Sequence, residues 1–185
     1  NRQVMKYLGG DALAVYGVIV SVSTFVQCCA YGIGQAAQPI LSQNYGAGLY
    51  GRVQTVLRYS VLTSGLMGLL FTALTMALPE GMVRIFMSPT PEVLAIAPPI
   101  LRDYAVSFLL LPFNVFSTYY FQATLQPGVS VAASVARGIV LSGGLILLLP
   151  LLNGGAMLWW AMPITEAAVA LFSGLWIRRQ TRRWA

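Results

Sequence analysis

Of 185 residues, 57% are hydrophobic and only 9% are charged, with a net charge of +6. Soluble domains carry about 25% charged residues, so a surface facing water on all sides is excluded and the chain reads as an integral membrane protein. The basic excess lies between apolar runs and at Arg178, Arg179, Arg182 and Arg183, with no basic stripe of helical spacing, which speaks against nucleic-acid binding.

The chain opens at Asn1 with a short polar head, and we read it as a portion of something longer. Residues 1–10 look like the end of one element, with Gly9-Gly10-Asp11 as helix-start punctuation. A first span runs from about Ala12 to Cys29, and its helical pattern continues to about Asn44. That exceeds the ~20 residues that cross a bilayer, so the helix must tilt, protrude or kink at Pro39. The adjacent Cys28 and Cys29 read as small buried hydrophobes, since neither a disulfide framework nor a metal site uses that spacing.

Tyr45 to Arg52 forms a turn, and a second span follows from about Val53 to Leu78. Glu80 to Pro99 is the most polar interior connection, with a short interfacial stretch from Met82 to Met87. A third span covers about Ile100 to Leu125 and holds Pro112. After the turn at Gln126-Pro127-Gly128, the fourth span (about Val129 to Leu152) contains Arg137, and the fifth (about Met157 to Ile177) contains Glu166. Trp159, Trp160 and Trp176 at its two ends fit interfacial belts.

Five spans place the termini on opposite sides of the membrane. Arg52, Arg58, Arg137 and the four C-terminal arginines share one side, whereas Arg2, Lys6, Arg84 and Arg102 on the other are offset by Asp11, Glu80, Glu92 and Asp103. The C-terminus is therefore expected in the cytoplasm.

Two helix faces carry polar chemistry. At about 100° per residue, Tyr16, Ser23, Gln27, Tyr31, Gln38 and Ser42 share one stripe of the first helix. Such a stripe is either a cavity wall or a hydrogen-bonded seam between helices. Pro39 frees the carbonyl of Gln35, making it a candidate hinge or a simple shaping kink. In the third span, Asp103, Ser107, Asn114, Thr118 and Gln122 share a face beside Pro112. Two interrupted helices with amide-rich faces suit a midplane site for varied organic molecules.

Glu166 is the one carboxylate deep in a span, and Arg137 lies at a similar depth. The two are expected to form a structural ion pair or, alternatively, a site of proton or ion coupling. No histidine, no Ser/His/Asp set and no GxxxxGK[ST] loop is present, which argues against an enzyme and against direct drive by ATP. No metal site or cofactor is expected.

Several strings resemble the multidrug and toxic compound extrusion (MATE) family, most closely its DinF-type bacterial branch. They are Gly9-Gly10-Asp11-Ala12, Ala14-Val15-Tyr16-Gly17-Val18, Gly34-Gln35-Ala36-Ala37-Gln38-Pro39-Ile40 and Asn44-Tyr45-Gly46-Ala47. Phe86-Met87, Pro91-Glu92, Phe121-Gln122-Ala123, Arg137, and Pro163 with Glu166 follow in order.

The resemblance implies an all-α bundle of about five transmembrane helices forming one lobe of a twelve-helix transporter. Residues 1–185 would be the C-terminal lobe, comprising the end of helix 7 and helices 8–12, with the N-terminal lobe absent. It implies a secondary active antiporter of the bacterial inner membrane that exports drugs and other organic compounds, often cationic or amphipathic, for protons or sodium by alternating access. Its partners would be membrane lipid, small organic substrates and the missing lobe. Asn114 stands about where some sodium-coupled relatives place an acid, so that ion site does not carry over. The expected substrate cavity is Gln27, Tyr31, Gln38, Asn114, Thr118 and Gln122. A lipid-linked precursor flippase or polysaccharide exporter of the same superfamily is the alternative, although such a cavity needs more cations than Arg137 and Arg102.

Overall fold

The computed structural model describes residues 2–184; Asn1 and Ala185 lie outside them. Among these residues every regular element is a helix, because in lipid each backbone polar group must be satisfied within its own segment. The helices are α1 (Arg2–Gly46), α2 (Tyr50–Ala77), α3 (Pro79–Phe86), α4 (Pro91–Ala123), α5 (Pro127–Val135), α6 (Ser142–Asn153) and α7 (Ala161–Thr181). A π-helical stretch, Ala136–Leu141, joins α5 to α6, and a 3-10 turn, Gly155–Trp160, leads into α7. Five segments are long and apolar enough to cross a membrane: Arg2–Gly46, Tyr50–Ala77, Pro91–Ala123, Pro127–Leu152 and Gly155–Thr181.

The break in α1 falls at Gly9, whose φ of 86° and ψ of −173° interrupt the helix in a region that favours glycine. Residues before Gly9 are thus already helical. At Pro39, by contrast, the backbone stays helical. The third span also begins earlier than its apolar run suggests, at Pro91. Thr90 caps it, its hydroxyl accepting from the Val93 amide at 3.4 Å, and Pro91 occupies a first-turn position where no amide donor is needed. The short Met82 to Met87 stretch lies largely in α3, which buries Val83 and exposes Ile85.

α4 is the central helix, packed on α1, α2, α5 and α7. Val15, Ile19, Val22 and Val26 of α1 meet Leu101, Phe108 and Leu111 in one core. Nearer the end where α4 finishes, Leu41, Val53 and Leu57 pack on Phe116, Tyr120 and Phe121 in a second. Two glycines set the closest approaches. A Cβ on Gly34 would overlap the Tyr119 ring, and one on Gly68 would strike the backbone carbonyl of Leu109. Next to the second crossing, the Thr72 hydroxyl donates to the Ala105 carbonyl across helices at 3.2 Å.

Large aliphatic side chains such as Leu62, Leu66, Leu147 and Leu151 point outward, as a lipid-facing surface requires. Two sequence expectations are corrected here. Cys28 is exposed and Cys29 half-buried, because consecutive positions on a helix diverge by about 100° and Ala30 takes the inward place. Trp159 is buried 6.5 Å from the ring of Tyr16, so at that end of α7 only Trp160 can serve an interfacial belt. At the opposite end, Tyr50 stacks on Trp184 at 5.1 Å, tying the α1–α2 turn to the C-terminal segment.

Candidate functional site

The inward face of α7 carries Thr165, Glu166, Val169 and Ser173, all buried. Glu166 is fully enclosed, and an isolated carboxylate there would be costly. Two neighbours offset that cost. Arg137 Nε, from the π-helical stretch, donates to Glu166 Oε1 at 2.7 Å. Asn114 Nδ2, from α4, donates to the other carboxylate oxygen at 2.6 Å and to the Glu166 backbone carbonyl at 2.8 Å. A π turn widens the helix by one residue and recurs at functional sites; here it brings the only arginine of the fourth span to the only acid of the fifth.

Beside this triad lies a cavity of about 210 Å³ lined by Gln27, Tyr31, Asn114, Thr118 and Arg137, closed by small or apolar residues including Ala133 and Val169. Side chains from α1, α4, the α5–π segment and α7 therefore converge on one space. The Gln27 amide donates to the Tyr31 hydroxyl at 2.9 Å, and the Tyr31 ring meets Tyr119 edge-on at 6.4 Å. Glu166 stands behind Asn114 and Arg137 and does not line the cavity.

Gln38 and Gln122 form a separate pair, with Gln38 Nε2 donating to Gln122 Oε1 at 3.3 Å. This pair connects to the cavity wall through Ser130: Gln122 Nε2 donates to the Ser130 hydroxyl at 3.2 Å, and that hydroxyl donates to the Thr118 carbonyl at 3.0 Å. Pro39, next to Gln38 in the chain, is exposed and does not line the cavity. A larger open groove of about 730 Å³ between α2 and α7 is mostly apolar and contains none of the expected site residues.

Tyr119, Gly34 and Ser130 belong to the site although periodicity did not single them out. Gly34 stands in the glycine–glutamine string, but only the approach of Tyr119 gives it a role. Ser130 carries no sequence signal beyond being a serine in an apolar run. Among the described residues, no group of three or more His, Cys, Asp or Glu side chains could hold a metal ion. The arrangement is a set of neutral donors and acceptors around one compensated arginine, which suits binding rather than bond-breaking chemistry.

No curated protein sequence matches the chain significantly. Solved structures match its fold closely. An outward-facing multidrug resistance MATE transporter of the MOP superfamily superposes with a TM-score of 0.89 at 17% identity, covering 99% of this chain and 41% of that one. A MATE structure in complex with MaL6 gives 0.87 at 18% identity, covering 99% and 42%. A MOP superfamily transporter from Pyrococcus furiosus gives 0.88 at 18% identity, covering 99% and 41%. The chain thus spans about two-fifths of the length of these transporters. The MatE family model matches residues 2–146, most of the chain, and this protein belongs to the MATE family of multi-pass membrane transporters.

Proposed function

We propose that the chain is the C-terminal lobe of a secondary active antiporter that exports drugs and related organic compounds for protons or sodium. In this reading it resides in the bacterial inner membrane with its C-terminus in the cytoplasm, has no enzymatic activity and needs no cofactor. The N-terminal lobe of the same protein is its principal partner.

The observation that carries this reading is the convergence of Gln27, Tyr31, Asn114, Thr118 and Arg137 on one cavity. At about 210 Å³ the cavity is smaller than the ~300–1,000 Å³ of drug-sized sites. It is therefore half of a site, completed by the opposite lobe and opened to either side as the lobes rock. Neutral amides and aromatic rings there hold varied, amphipathic substrates without demanding one charge pattern. The Arg137–Glu166 pair braces the wall. Gln38 and Gln122 extend the polar surface along the α1–α4 seam, and Pro39 serves as the hinge candidate above it.

The test is dye export by the full-length transporter carrying Gln27→Ala, Thr118→Val or Gln38→Ala, with membrane levels measured in parallel. Export is expected to fall several-fold for at least some substrates. Unchanged export of every dye would remove the cavity assignment. Loss of ion coupling in a well-folded Glu166→Gln variant would show instead that the acid couples rather than braces.

A further inference from the structure

We propose that a recess between the C-terminal end of α7 and the start of α5 is a binding site for the headgroup of an anionic, hydroxyl-bearing phospholipid such as phosphatidylglycerol. The argument begins with Gln180. It is 8% exposed, and neither its amide nitrogen nor its carbonyl oxygen has a hydrogen-bond partner among the described residues. A buried amide with both ends unsatisfied is costly and calls for a ligand or water.

Gln180 lines a recess of about 470 Å³ together with Arg179, Arg183 and Trp176, facing Leu125 in the α4–α5 turn and Gly128 at the start of α5. Trp176, Gln180 and Arg183 recur at helical spacing along one face, and the Trp176 indole N–H donates to the Gln126 side chain, bracing the wall. Neither arginine is paired with a carboxylate: the Arg137–Glu166 contact is the one salt bridge among the described residues. The start of α5 at Pro127 adds the positive end of a helix dipole.

The surroundings specify the ligand further. At this end of the bundle α1 and α4 finish and α2 begins. It holds Arg52, Arg58, Arg178 and Arg182 besides the two recess arginines, whereas Asp11, Glu80, Glu92 and Asp103 all fall toward the other end. An anion is therefore attracted without competition from nearby acids. Leu125 is 77% exposed at the mouth beside Trp176, an apolar margin that suits acyl chains more than a soluble anion. Guanidiniums take the phosphodiester oxygens. The Gln180 nitrogen donates to the phosphate, and its carbonyl oxygen accepts from a headgroup hydroxyl, which a choline headgroup does not offer.

The test uses the complete transporter purified in mild detergent, with bound lipid read by native mass spectrometry. Phosphatidylglycerol should be retained in preference to phosphatidylcholine. Its apparent affinity should fall about 30-fold in Arg179→Gln/Arg183→Gln, given roughly 1 kcal/mol for each basic residue near an anionic membrane surface. The control, Arg178→Gln/Arg182→Gln, removes the same charge outside the recess and should leave retention unchanged. Equal losses in both double variants would overturn the site in favour of diffuse attraction. Displacement of the lipid by millimolar inorganic phosphate would overturn the lipid assignment, as would indifference between the two phospholipids.

Discussion

Asn114 and Glu166, 52 residues apart in the chain, are joined twice: one carboxamide nitrogen donates to the Glu166 carboxylate at 2.6 Å and to its backbone carbonyl at 2.8 Å. With Arg137 on the second carboxylate oxygen, three transmembrane segments are pinned at one buried point. A buried pair is weak evidence for net stability, yet removing one partner strands the other.

Arg137→Gln alone should therefore destabilise the transporter by about 3–5 kcal/mol, because Glu166 is left enclosed without its charge partner. Arg137→Gln with Glu166→Gln should recover most of that loss. Thermal unfolding of the purified full-length protein separates the two outcomes, and a double variant no better than the single would refute the pairing argument.

The two close-approach glycines should respond differently. At Gly34 an added methyl meets the ring of Tyr119, a half-buried side chain that can shift, whereas at Gly68 it meets the backbone of Leu109. Overpacking costs about 1–3 kcal/mol. Gly34→Ala should fall at the low end and be relieved by Tyr119→Leu, and Gly68→Ala should fall at the high end with no side-chain remedy. Melting temperatures of the three variants check the order.

Thr72→Val keeps the shape of a β-branched side chain while removing the donor to the Ala105 carbonyl. Interhelical hydrogen bonds in membranes average about 0.6 kcal/mol, so the loss should be of that size. A loss above about 2 kcal/mol would indicate that Thr72 does more than join α2 to α4.

Ser130 both accepts from Gln122 and donates to Thr118. Ser130→Ala should thus cost about 1 kcal/mol and reduce export along with Gln122→Ala, since both break the link between the Gln38–Gln122 pair and the cavity wall. Normal export in both variants would separate that link from transport.

Periodicity, composition and charge placement determined much of this protein. The number of spans, the polar stripes on α1 and α4, and the similar depths of Arg137 and Glu166 all follow from properties local to one helix: which residues share a face and how deep they lie. The glycine–glutamine–proline string supplied the family resemblance for the same reason, being continuous in sequence. What the sequence could not decide was which polar faces meet and at what rotation. Gln27 and Tyr31 line the cavity, yet Gln38, three turns or so along the same stripe, pairs instead with Gln122. Asn114 looked like a free cavity amide until α7 brought the Glu166 carboxylate against it. The stretch from Pro91 to Pro99 read as part of a polar connection, yet it is the first part of α4, which starts at Pro91 behind a cap at Thr90. These outcomes depend on helix rotation, a π turn and contacts between residues tens of positions apart, which packing of the whole bundle sets and no single segment encodes.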